Sequence, residues 1–72
     1  MTDSAEHNWV MIYSSPSLVE VEIRHGLLRS EDIESIIINK KDSFYLIGDI
    51  ELYVKSGDAF SARQIISDSD SE

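Results

Sequence analysis

The chain has 72 residues, 14 acidic and 6 basic, for a net charge of −8 at pH 7, and 42% of it is hydrophobic. That length holds a single core, the composition is too apolar for a disordered chain, and the negative excess argues against nucleic acid and anionic membrane as partners. Cysteine is absent, which excludes disulfides, thiolate metal sites and cysteine nucleophiles and fits a reducing cytoplasm. No apolar run approaches the roughly 20 residues of a membrane span, and the N-terminus lacks the charged-then-apolar pattern of a signal peptide, so the expected location is cytoplasmic.

Residues 1 to 7 are mostly polar and read as a flexible lead-in. Asn8 to Ser14, with Trp9, Val10, Met11, Ile12 and Tyr13 at its centre, is rich in branched and aromatic side chains and predicts a strand. Ser15-Pro16-Ser17 punctuates: either Ser15 caps a helix with Pro16 as its first residue, or Ser17 and Glu20 form a capping box. The next segment carries two signals. Val19 to Arg24 alternates like a strand, whereas Val19, Ile23, Gly26 and Leu27 share one helical face. The start signals and the length to Ser30 favour helix, ended at Glu31-Asp32, with Asp32 taking the left-handed conformation that glycine usually supplies.

Ile33 to Asn39, with isoleucine at 36, 37 and 38, predicts a second strand, followed by a polar turn at Lys40-Lys41-Asp42-Ser43. Phe44 to Val54 predicts a third, with Ile50, Leu52 and Val54 in period two. Gly48-Asp49 within it marks either a bulge or the end of a loop that lasts from Lys40. Ser56-Gly57-Asp58 opens a second helix with Ala59, Ala62, Ile65 and Ile66 as its apolar stripe. Residues 67 to 72 alternate serine with acid and read as a disordered tail. Without the tail's three acids the body still carries −5.

The order β-α-β-β-α predicts an α+β two-layer sandwich of the ferredoxin-like type without its usual fourth strand, leaving the first strand at an open edge. If Val10, Ile12, Ile36, Ile38, Ile50, Leu52 and Val54 face the helices, then Trp9, Met11, Tyr13, Ile37 and Tyr53 form an uncovered face resembling an interface.

Catalytic chemistry is thinly represented. His7 and His25 stand too far apart in sequence to suggest a metal pair. Asp42, Ser43 and Tyr45 offer a carboxylate and hydroxyls without an evident activating base. The three glycines form no phosphate-cradling motif. No enzyme activity, metal or cofactor is expected. The segment Asn39, Lys40, Lys41, Asp42, Ser43, Phe44, Tyr45 is where both charge signs, hydroxyls and aromatics concentrate, and loops on a rigid sheet are common recognition elements.

These residues resemble a known family. Trp9-Val10 with Tyr13, then Glu22-Ile23, Gly26-Leu27-Leu28 and Ile33, then Asn39 to Tyr45 and Gly48 to Val54, then Asp58, Ala62 and Ile65, are similar to the small bacterial family of putative signal-transducing proteins, a domain of unknown function. The likeness covers residues 8 to 66. It implies a ferredoxin-like sandwich of the GlnB-like superfamily and a helix over Val19 to Ser30. The family pattern has Gly-Ile after the first helix where this chain has Asp32-Ile33.

Together these readings predict a regulatory interaction module. A protein partner or a second copy of the chain would bind at the 39–49 loop (Asn39, Lys40, Lys41, Asp42, Ser43, Tyr45) and at the open face (Trp9, Met11, Tyr13, Tyr53). The alternative is a small-ligand sensor whose cleft forms between subunits, with Lys40, Lys41 and Arg63 meeting a metabolite or anion.

Overall fold

The computed structural model describes residues 8–40 and 48–70. It is a two-layer α+β sandwich: β1 (Trp9–Ser15), α1 (Leu18–Ser30), β2 (Ser35–Asn39), β3 (Ile50–Lys55), a 3-10 turn (Ser56–Asp58) and α2 (Ala59–Asp70). The sheet order is β1-β3-β2, and β3 runs antiparallel to both neighbours. The expected β-α-β-β-α order and the edge position of β1 are both present. The order is compatible with a small ferredoxin-like fold.

β3 organises the core. Ile50, Leu52 and Val54 are each at most 1% exposed and meet Val21 and Leu28 of α1 and Ala59, Ala62 and Ile66 of α2. The small alanines bring α2 close to the sheet, and the stripe expected on this helix is the one it buries. Gly48 (φ 114°) and Asp49 precede β3, and the Lys40 amide donates to the Asp49 carbonyl at 3.0 Å. Gly48-Asp49 therefore stand before the strand, not within it as a bulge. Lys41 to Ile47 lie outside the described residues.

α1 starts at Ser17, whose hydroxyl accepts from the Glu20 amide (3.4 Å), while the Ser15 hydroxyl accepts from the Ser17 amide (3.0 Å). The helix ends in a Schellman motif. The Ile33 amide donates to the Leu28 carbonyl and the Asp32 amide to the Arg29 carbonyl, both at 3.0 Å, with Asp32 at φ 63°. Asp32 thus occupies the left-handed position expected of it, and Ile33 packs against the core that holds Leu28.

That terminus also fixes which face of α1 is buried. Leu28 points into the core and Val21 lies two turns before it, so the buried line is Val21–Leu28, with Arg24 and His25 half-buried between. The face expected from Val19, Ile23 and Gly26 points outward: Val19 is 66% and Ile23 55% exposed. β2 differs in the same way. Ile37 pairs with Leu52 and faces the helices, while Ile36 and Ile38 face away. The cause is the charge at either end: Glu34 and Lys40 share the face of Ile36 and Ile38, and carboxylate and ammonium groups stay in water.

In β1 the register shifts between Met11 and Tyr13, because these residues pair with the consecutive Tyr53 and Leu52. Ile12 is the extra residue of this bulge. Alternation resumes out of phase, so Tyr13 turns to the helix side, where the Arg24 guanidinium lies 4.3 Å from its ring centroid. Arg24 also holds Glu20 at 2.8 Å. α2 extends to Asp70, so the first part of the expected disordered tail is helical. Serine and aspartate carry only modest helix penalties and no glycine or proline intervenes.

Two stability measurements follow from this packing. Leu52→Ala loses roughly 2–5 kcal/mol in urea unfolding, a large share of the roughly 4–11 kcal/mol available to a domain of this size. Asp32→Gly gains about 0.5–1 kcal/mol, because glycine carries no left-handed strain and an acid leaves the negative end of a helix dipole.

Candidate functional site

The outer face of the sheet is built from side chains of all three strands, and no described element covers it. The strand register sets Trp9 beside Lys55, Met11, Tyr53 and Ile36 in one line across the sheet, and Glu51 beside Ile38. Met11 is 44% exposed, Ile36 37% and Ile38 36%, while Trp9 and Tyr53 are half-buried. The result is an apolar band with charged pairs at both ends.

At one end Lys55 Nζ lies 3.3 Å from Glu34 Oε1 and 5.9 Å from the centroid of the Trp9 ring. At the other, Glu51 Oε1 accepts the Tyr53 hydroxyl at 2.8 Å and lies 3.8 Å from Lys40 Nζ. The hydrogen bond to Glu51 raises the Tyr53 phenol above its ordinary range, with desolvation and repulsion by the same carboxylate adding to it. Tyr53 is therefore a neutral donor locked in place.

Trp9, Met11 and Tyr53 stand on this face as the sequence predicts. Tyr13 does not, since the bulge turns it to the helix layer, and Ile36 and Ile38 replace Ile37. Asn39 ends β2 opposite the buried Ile50, on the helix side, and Lys40 follows it to pair with Glu51 on the outer face, whereas Lys41, Asp42, Ser43 and Tyr45 lie outside the described residues. The cations expected to meet an anion are not assembled within one chain. Lys40 pairs with Glu51 on the outer face, Arg63 is exposed on α2 in the other layer, and Lys41 is outside the described residues.

Over residues 9–70 the chain matches the model of a family described as putative prokaryotic signal transducing protein (DUF2007). The chain belongs to that family. Comparison with curated proteins and with solved structures finds no match. The DUF2007 match spans every strand and helix of the sandwich, so the outer face lies within the matched residues.

A second constellation escaped the sequence reading. His25 is half-buried, and its Nδ1 lies 2.7 Å from Ser35 Oγ. These two line a cavity of about 270 Å³ with Arg29, Ile33 and Glu34. The available signal was spacing: His25 and Arg29 are four apart on α1, and the turn at Asp32 returns the chain directly to Ser35. Among the described residues no group of three or more His, Asp or Glu is arranged to hold a metal ion, and no helix is long and apolar enough to cross a membrane. His7 lies outside the described residues.

Spectrophotometric titration tests the Tyr53–Glu51 bond. The Tyr53 phenol ionises above its ordinary range, and Glu51→Gln brings it down. Because the unfolded chain ionises this phenol first, its contribution to stability is complete below the ordinary range. That contribution is lost as pH rises through the raised value.

Proposed function

We propose that this DUF2007 chain is a non-enzymatic signalling module that binds a protein partner through the outer sheet face and the adjoining 39–49 loop. The observation that carries this reading is the uncovered line Met11–Tyr53–Ile36. Together with Ile38 it sets four large side chains side by side on a rigid antiparallel sheet. An apolar centre with a polar rim is the usual anatomy of a binding site. Tyr53 adds a positioned hydroxyl, and the Lys55–Glu34 and Lys40–Glu51 pairs supply a rim of both signs. The net charge of −8 favours a partner of opposite charge and disfavours a second copy of the chain.

The test compares capture of partners by the wild-type chain with capture by Met11→Lys and Ile36→Lys on the face. Phe60→Lys, which removes an equally large exposed side chain from α2 (79% exposed), serves as control. The expected result is one protein retained by wild type and Phe60→Lys, lost from both face variants, and released as salt is raised. Equal capture by all four chains sinks the proposal. Concentration-dependent sedimentation abolished by Met11→Lys would identify the partner as a second copy.

A further inference from the structure

The cavity between α1 and the entrance of β2 holds a histidine, an arginine and a serine that docking through the outer sheet face does not use, and it shares Glu34 with that face. His25 and Arg29 are one turn apart on the flank of α1. Ser35, the first residue of β2, faces the helices because it pairs with the buried Val54, and this brings its hydroxyl to His25 Nδ1 at 2.7 Å. Ile33 and Glu34 complete the lining. At about 270 Å³ the space lies just under the roughly 300 Å³ where pockets for drug-sized ligands begin, a size that suits a small molecule.

Three features define the ligand. First, among the described residues Arg29 has no carboxylate partner, in a chain where acids outnumber bases 14 to 6. A guanidinium lining a cavity without a carboxylate partner suits a carboxylate or phosphate ligand. Second, the His25–Ser35 pair presents a hydrogen-bond donor in every protonation state. If Ser35 donates to Nδ1, the proton on Nε2 is free; if Nδ1 donates to Oγ, the serine hydroxyl is free; in the imidazolium both are. Third, Glu34, whose Oε1 lies 3.3 Å from Lys55 Nζ on the outer face, also lines this cavity, and its carboxylate penalises a dianionic phosphate and suits a cationic group.

We propose that this cavity binds a small free amino acid as its zwitterion. Its carboxylate is held by Arg29 and the donor of the His25–Ser35 pair, its ammonium by Glu34, and its side chain lies against Ile33. The site shares Glu34 with the rim of the outer face, but its test reads His25, Arg29 and Ser35, which the docking reading does not involve.

The test follows backbone amide resonances of the full chain during titration with L-valine, with isovalerate, which lacks the ammonium, and with isobutylamine, which lacks the carboxylate. Saturable shifts centred on His25, Arg29 and Ser35 are expected for valine, with each one-pole analogue at least about tenfold weaker, a loss of roughly 1.4 kcal/mol. Arg29→Gln weakens valine and isovalerate alike. Glu34→Gln weakens valine and leaves isovalerate unchanged. Arg29 and Glu34 are exposed, so both variants keep the fold, and the same spectra report it. The proposal is overturned by an absence of saturable shifts up to the solubility of valine, by equal binding of valine and isovalerate, or by valine shifts that persist in Arg29→Gln.

Discussion

The structure depends on β3 being flanked on both sides. Among the described residues its six positions form the only ladder that β1 or β2 joins, and its alternate side chains Ile50, Leu52 and Val54 supply the wall against which both helices pack. A two-stranded ribbon would be marginal in water, and the third strand with a packed face makes the sheet self-sustaining. The same alternation that buries these three residues sends Glu51, Tyr53 and Lys55 to the other side. One strand therefore specifies both the core and the polar centre of the outer face.

Charge decides which apolar residues are displayed. Each end of the outer face carries an acid and a base, Glu34 with Lys55 and Glu51 with Lys40. Exposed pairs of this kind contribute little to stability, on the order of 0–1 kcal/mol. Their effect is on register, because their need for water dictates the orientation of β2 and carries Ile36 and Ile38 outward with them. In an otherwise acidic chain, an apolar surface edged by balanced pairs is locally neutral ground, open to a partner without strong repulsion.

Much of the fold was legible in the sequence. The period-two pattern of β3, the serine-rich start of α1, the left-handed Asp32 and the stripe of α2 each follow from local chemistry that tertiary packing does not override. The faces of α1, β1 and β2 were harder. On α1 the outward Val19 and Ile23 are as apolar as the buried Val21 and Leu28, so composition does not separate them; the Schellman turn does. On β2 three consecutive isoleucines hide the period, and the charged positions 34 and 40 carry the information instead. On β1 a single bulge inverts the phase, and nothing local to Ile12 announces it. The His25–Ser35 pair required knowing that the turn at Asp32 folds β2 back along α1, a fact of topology rather than of composition.

The bulge at Ile12 bears on how this protein behaves when crowded. β1 is an edge strand whose sequence Trp9-Val10-Met11-Ile12-Tyr13 has high strand propensity and no charge, the composition from which cross-β fibrils are built. A flat edge of that kind would template the addition of another chain. The extra residue breaks the regular spacing of the outward amide and carbonyl groups and sharpens the twist, and Pro16 follows at once to end any extension. The same irregularity that turns Tyr13 into the core thus serves as a guard against amyloid growth along the strand most prone to it.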